Sequence, residues 1–485
     1  MANDKTWSFK DATDTLIDME VRLGLLDGQS EFSKIWERIR FWFHRELLKK
    51  LELDESSLML ERNYSGNSSF ISWIADFFKS IFYKNPFFYL SKPKYLFISN
   101  PRRRLNDEGF YDDIYTDNLV ACIENNDSIG SVLCLEGAMN NIHLKPTLTK
   151  NLQYLDFINQ LILLLRKFHK IVLSTEEAEK INCVESEILR VFGIRISILE
   201  VYKNEISYRK YSILVYRALF KHLKPNVLFL VCSYGKENII EAARLMGINT
   251  VEVQHGVLNK YHLGYSFPNN LKKISFPDYF FSFGKHWIES TEFPVNEDRL
   301  IVIGYPYLTS SLKKLKIDKK RQIVILSQPN AGSVLVKVAQ KLYKKYGDDY
   351  RIIYKLHPKE IAHWRDFYPE LVRAQINKEV EVVDSISVSL YEIQAQSEYQ
   401  IGVNSTAIYE GLALGCKTLI VRTHGFEYME SLIEKGLGYL YDIDNPLDIV
   451  SLAETAFGSD YFFDDNFENN FYRGLSYIED ACLKC

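Results

Sequence analysis

Short apolar runs separated by longer amphipathic stretches set the character of most of this chain. Runs at 95–99, 131–135, 227–231, 250–253, 279–282 and 300–303 are dominated by Val, Ile, Leu, Phe and Tyr. They are too short for buried helices, so they predict buried parallel strands. A second series at 323–326, 351–354, 380–383, 399–401 and 418–421 repeats the alternation with helix-length segments. Strands that alternate with helices imply an α/β class, in which helices cover both faces of a parallel sheet. At 485 residues the chain exceeds what one hydrophobic core supports. The two series are therefore read as two Rossmann-like, doubly wound domains facing a cleft.

The same pattern places the boundaries. Residues 1–92 read as a helical N-terminal extension with a polar break at 63–69. The first Rossmann-like domain spans 93–316 and carries a long helical insertion at 152–222, and the second spans 317–468. An amphipathic last segment, 469–485, is expected to cross back to the first domain. Within the extension, Phe70, Ile71, Trp73, Ile74, Phe77, Phe78, Ile81 and Phe82 recur at helical spacing. Their opposite face is nearly neutral, which favours burial against the domain; a peripheral contact with the inner membrane is the other reading.

Composition narrows the class. A formal charge of −4 leaves no basic footprint, so nucleic acid is not expected as a partner. The seven cysteines are scattered and odd in number, and Cys482 and Cys485 form a lone CxxC without a second pair, so neither a disulfide framework nor a metal site is expected. The polar start, Met1 to Lys10, lacks the apolar core of a signal peptide. A cytoplasmic location follows as the expectation.

Chemistry-bearing residues gather where strands should end, which is where open α/β sheets bind ligands. His357-Pro358 follows the 351–354 run, with Lys355 just before it. Asn404, Ser405 and Thr406 follow the 399–401 run and open a helical pattern that includes Glu410. Unpaired N–H groups and the positive dipole end at such a helix start favour phosphate. His357 could donate to a phosphate oxygen, Ser405 and Thr406 could add donors, and Glu410 could accept from ribose hydroxyls. Gln328 and Asn330, in the loop after the 323–326 run, could approach the same nucleotide. The bland alternatives are a chance His-Pro pair and an ordinary Ser N-cap. In the first domain, Gln254-His255-Gly256 ends another strand, and Gly256 would let the backbone turn tightly.

The His357-Pro358 and Ser405-Thr406 pairs resemble the motifs of bacterial GT-B glycosyltransferases that build capsule and lipopolysaccharide, above all CMP-sialic acid and Kdo transferases. Those sialyltransferases also carry an acidic-acidic-Gly motif, and Asp107-Glu108-Gly109 stands in the corresponding order here, shortly after Arg102. The resemblance covers roughly 94–425. It implies an acceptor domain at 93–316 and a nucleotide-sugar donor domain at 317–468, with transfer from a CMP-activated ulosonic acid to a surface glycan or glycolipid. It also implies Asp107 or Glu108 as general base, phosphate binding by His357, Ser405 and Thr406, and no cofactor or metal. Asp112, Asp113 and Asp117 crowd the acidic motif and leave the base open. Gln254, His255 and Arg102 become candidate acceptor or substrate contacts, with His255 also a catalytic candidate. A UDP-sugar transferase or CDP-glycerol-type phosphotransferase of the same fold, and a non-catalytic scaffold of a polysaccharide assembly complex, remain as alternatives.

Overall fold

The structure, a computed structural model, describes residues 6–54, 70–100, 103–106, 108–126, 128–138, 143–146, 151–168, 171–269, 271–453 and 458–483. The first sheet contains β1 (Tyr95–Ile98), β4 (Val132–Glu136), β5 (Leu152–Tyr154), β6 (Val227–Val231), β7 (Asn249–Val253), β8 (Tyr279–Ser282) and β9 (Leu300–Val302), in the order β5-β4-β1-β6-β7-β8-β9. A small antiparallel hairpin, β2 (Arg104–Leu105) with β3 (Tyr111–Asp112), follows β1. The second sheet contains β10 (Lys320–Leu326), β11 (Arg351–Lys355), β12 (Glu381–Val383), β13 (Ser397–Gly402), β14 (Lys417–Val421) and β15 (Tyr439–Tyr441), in the order β12-β11-β10-β13-β14-β15.

All pairings within both sheets are parallel. Each sheet reverses strand order beside its first strand, β1/β6 in one and β10/β13 in the other. Such a reversal opens a crevice at the carboxyl ends of the strands. This is the GT-B arrangement, two doubly wound domains whose strand ends face a common cleft. Every strand predicted from the apolar runs forms; β5, β15 and the hairpin lie outside those predictions. β5 and β15 have three residues each and, unlike the equally short β9 and β12, carry no Val or Ile to mark them as strands.

The helical extension shares a core with the insertion. The helices Phe9–Leu23 and Glu31–Lys50 bury Phe9, Leu16, Trp36, Phe43 and Leu47 against Ile181, Ile188 and Tyr202 of the insertion and against Tyr261, Leu263 and Phe267 of the loop after β7. Inside that core Arg40 pairs with Glu20 at 2.8 Å, both side chains fully buried. Arg40 also donates to the carbonyls of Leu263 at 2.9 Å and Ser266 at 2.7 Å, so the loop after β7 is tied to the extension. The helix Phe70–Phe82 packs on the helix Asp156–Arg166, through Phe77 and Phe157 at 5.9 Å. Its outer side leaves Phe78 and Phe82 exposed, beside exposed Tyr83, Phe88 and Leu90. Phe77 and Ile81 are half-buried, and the side chains of residues 70–75, part of the expected buried face, lie outside the described ones. Among the described residues no helix is long and apolar enough to cross a membrane.

The last helix, Phe467–Leu483, packs on the first sheet, with Phe471 against Phe229 and Phe281. The chain reaches it by crossing the ends of β8 and β9, where the Trp287 indole donates to the Phe462 carbonyl at 2.7 Å and the Asp464 N–H to the Phe283 carbonyl at 2.9 Å. A Cβ at Gly304 would sit 2.2 Å from the Asp464 oxygen, and Gly304 has φ +91°. Gly304→Ala is therefore expected to displace this crossing and to destabilise the fold by about 1–3 kcal/mol. Faster proteolytic cleavage around 459–466, together with a lower denaturant midpoint, checks this.

Candidate functional site

The register of the second sheet brings the predicted residues to one edge. Ile325 of β10 pairs with Tyr354 of β11 and Ile401 of β13. His357, Gln328 and Asn404 each lie three residues beyond those partners, so they leave the sheet at the same level. Adjacent strands are about 4.8 Å apart, which puts β11 and β13 roughly 10 Å from each other across β10. A phosphate with its flanking groups fits that span.

At the β11 end, the His357 N–H donates to the Glu360 carboxylate at 2.8 Å. Glu360 also accepts from the Ser327 hydroxyl at 3.0 Å and the Tyr368 hydroxyl at 2.7 Å, and it is fully buried. Burial pushes its carboxyl up, and these three donors oppose the push. Nδ1 of His357 accepts from the Lys359 N–H at 3.2 Å. In the neutral ring that leaves the proton on Nε2, which is then a donor. Pro358 is exposed, and Lys355 is half-buried and donates to the Ser385 carbonyl at 2.7 Å. Burial, then the charge of Arg104, holds the Lys355 ammonium below its usual range.

At the β13 end, Ser405 is the N-cap of the helix Thr406–Ala413 and accepts from the Ala407 N–H at 3.3 Å. The Ala407 N–H is thus taken by Ser405 and the Ile408 N–H by the Ser405 carbonyl at 3.0 Å, while the Ser405 and Thr406 hydroxyls stand at the start of the helix. Asn404 is half-buried, and its Oδ1 is buried with no hydrogen-bond partner among the described residues. A Cβ on Gly425, in the loop after β14, would lie 2.7 Å from the Asn404 amide nitrogen and 3.5 Å from that of Asn330. The loops after β10, β13 and β14 therefore converge at this point. Gln328 and Asn330 are half-buried in the first of them, whose turn is closed by the Ala331 N–H on the Gln328 carbonyl at 3.0 Å.

Glu410 stands differently from its expected ribose role. It is buried, beside Tyr391 and in the field of Arg104, which reaches across from the β2 hairpin. Arg104 lies over the rings of Tyr307 and Tyr391, 5.3 Å and 5.2 Å from their centroids. Burial lowers the Arg104 pKa, but Tyr391 and Glu410 raise it further, so the guanidinium stays charged. Glu410 thus faces an interdomain cation rather than open cleft.

The first domain supplies the opposite wall. A Cβ on Gly256 would lie 3.5 Å from the Thr406 hydroxyl, so the turn after β7 lies beside the opening of the helix Thr406–Ala413. His255 is half-buried beside it. Its Nε2 is 3.3 Å from the Tyr234 hydroxyl, its Nδ1 is 3.2 Å from the Tyr265 hydroxyl, and its carbonyl accepts from Tyr115 at 3.0 Å. Tyr265 donates to Glu252, which also accepts the Ser233 N–H at 3.0 Å. Gln254, expected as a substrate contact, is fully buried; it donates to the Gly256 carbonyl at 2.8 Å and accepts from Ser282 at 3.1 Å and the Phe283 N–H at 2.8 Å. Its amide is consumed in shaping the turn.

The acidic motif falls at the tip of the β2–β3 hairpin. Asp107 and Arg102 lie outside the described residues. Glu108 is exposed, in a turn closed by Asn106, whose Oδ1 accepts the N–H groups of Glu108 at 3.1 Å and Phe110 at 3.0 Å. Asp113 is buried and accepts backbone N–H groups of Asn100 at 2.7 Å, Tyr115 at 3.0 Å and Thr116 at 3.3 Å. Burial, then the nearby Asp113, pushes Asp117 up to about 8. Glu252, Tyr265 and Glu360 are not among the expected site residues, while Tyr234 stands in the strand-end turn 233–235, which the sequence links to the cleft. Glu252, a charge inside the apolar strand β7, was the one signal in the sequence; Tyr265 lies in a loop with no pattern to mark it.

Glu360→Ala leaves three donors without their acceptor, two of them deep in the domain. A loss of about 2–4 kcal/mol in unfolding free energy is expected, read from denaturant titration.

No family model and no curated protein matches the chain. Among solved structures, the chain is similar to the UDP-GlcNAc 2-epimerase of Methanocaldococcus jannaschii, at 10% identity and a TM-score of 0.45 over 79% of this chain and 99% of that one. A putative UDP-N-acetylglucosamine 2-epimerase from Listeria monocytogenes aligns at 14% identity and 0.46, over 81% and 98%. The glycosyltransferase SnogD from Streptomyces nogalater aligns at 12% and 0.35, over 80% and 97%.

Proposed function

We propose that the chain is a sugar-transferring enzyme that takes a nucleotide-activated sugar at the carboxyl edge of its second sheet and passes it to an acceptor held by the first domain. The observation that carries this reading is the contact between the Gly256 turn and Thr406, on the edge where His357 also leaves its strand. A phosphate held there meets Nε2–H of His357 from one side and the hydroxyls of Ser405 and Thr406, at the positive end of the helix, from the other. The orphaned Oδ1 of Asn404 and the amide of Asn330 line the neighbouring space, where ribose or base would lie. These donors suffice for a single phosphodiester, which favours a CMP-linked ulosonic acid of the sialic, pseudaminic or Kdo type as donor. The acceptor is a bacterial surface glycan or glycolipid.

Departure of the sugar leaves negative charge on the nucleotide phosphate, and donors placed at that charge lower the barrier. A phosphotransferase of CDP-glycerol type is the second reading. It is favoured by the place of His255, next to the Gly256 contact and so close to the phosphate. Isotope tracing of phosphate into the product separates the two.

A melting-temperature panel of CMP, CDP, UDP and GDP tests the nucleotide site. A nucleotide at a hundred times its dissociation constant stabilises by about 2.7 kcal/mol. CMP is expected to raise the midpoint, with the rise abolished in His357→Ala and Thr406→Ala. If no nucleotide moves the midpoint, the reading is wrong.

The N-terminal extension also carries the exposed side chains Phe78, Phe82, Tyr83, Phe88 and Leu90, with exposed Lys79 and half-buried Lys84 beside them. Aromatics fringed by lysine suit an anionic bilayer surface, and this face is assigned to the inner membrane, where a glycolipid acceptor resides. Co-sedimentation with vesicles containing phosphatidylglycerol is expected for the wild type and is expected to fall at least fivefold in the double variant Phe78→Ser, Phe82→Ser.

A further inference from the structure

We propose that His255 takes the proton of the attacking hydroxyl, and that Tyr265 and Glu252 are positioning residues that hold its ring with the proton on Nδ1. This rests on the nucleotide-sugar reading and names the base within it. The Tyr265 hydroxyl hydrogen is committed to Glu252, so its oxygen is left to accept from Nδ1 of His255 at 3.2 Å. Nε2 then carries the lone pair, with the Tyr234 hydroxyl oxygen 3.3 Å away. That is the tautomer a general base needs.

The ring is held from several sides. The Ser233 N–H fixes the Glu252 oxygen that Tyr265 uses, at 3.0 Å. Tyr265 is fully buried, packed edge-on against Phe276, Phe280 and Phe293. The Tyr115 hydroxyl anchors the His255 carbonyl at 3.0 Å. One residue on, Gly256 touches the Thr406 side of the phosphate site. By contrast, Glu108 of the acidic motif stands exposed at a hairpin tip, with no comparable holding groups around its carboxylate among the described residues.

In the transfer, the acceptor oxygen bonds to the anomeric carbon as the bond from that carbon to the phosphate oxygen breaks. The electron pair of the broken bond leaves on the nucleotide phosphate, facing His357 and Thr406. The hydroxyl proton passes to Nε2 of His255, which becomes an imidazolium with Nδ1–H still on the Tyr265 oxygen.

Two measurements on the full chain test this. In the protein labelled with ¹⁵N-histidine, a long-range ¹H–¹⁵N spectrum at neutral pH, with His255 identified by the signal lost in His255→Gln, is expected to show Nδ1 protonated and Nε2 bare. Tyr265→Phe is expected to shift that ring toward the Nε2–H form. In nucleotide release from CMP-N-acetylneuraminate and from UDP-N-acetylglucosamine, His255→Gln should lower kcat about 10²- to 10⁴-fold, while Tyr265→Phe should lower it about tenfold with KM unchanged. An Nε2–H tautomer in the wild type, or wild-type kcat in His255→Gln, overturns the assignment. Absence of any nucleotide-induced stabilisation in the wild type instead sinks the nucleotide-sugar reading and leaves the tautomer result standing.

Discussion

The turn after β7 approaches the Thr406 hydroxyl closely, since a Cβ on Gly256 would stand 3.5 Å from it, and this approach brings the strand ends of the two sheets together. Parallel strands send their chemistry to one edge, and here two such edges are pressed together. The pressing is distributed. Arg104 inserts between Tyr307 and Tyr391, Trp287 packs on Tyr409 at 4.7 Å, and Asn259 donates to the Tyr428 carbonyl at 2.9 Å. The terminal helix returns to the first sheet and closes the arrangement from behind.

The N-terminal helices belong to the same machinery by an indirect route. Arg40 and Glu20 form a buried pair, and a buried pair is costly to break because it leaves an unmatched charge in a dry interior. Arg40 spends its remaining donors on the carbonyls of Leu263 and Ser266, either side of the loop segment that carries Tyr265. The loop after β7 would otherwise be a long irregular excursion with its backbone groups unsatisfied. Clamped in this way, it presents Tyr265 to His255 at a fixed distance. A helical cap far from the phosphate edge thereby bears on the ring nearest to it.

Legibility in the sequence followed how local each cause is. The short apolar strands, the His357-Pro358 exit and the Ser405 cap depend on neighbours within a few residues, and all three are present as read. Gln254 and Glu410 looked like cleft residues because their neighbours are, yet one is spent on the Gly256 carbonyl and the other faces Arg104 from the opposite domain. Their partners lie outside any local window. The hairpin that carries Glu108 was hidden for a related reason: two-residue strands have no periodicity to detect.

By itself the sequence determined eleven of the strands, that they run parallel in two covered sheets, and which polar residues leave the sheets at their carboxyl ends. Strand alternation and helix capping are matters of near neighbours, so the pattern along the chain is enough to specify them. Tertiary structure alone decided that Gly256 meets Thr406, that Tyr265 and Glu252 stand behind His255, and that Arg104 crosses to Glu410. Those contacts join distant or differently folded segments, and the packing of two domains selects among many pairings that the same pattern of residues would allow.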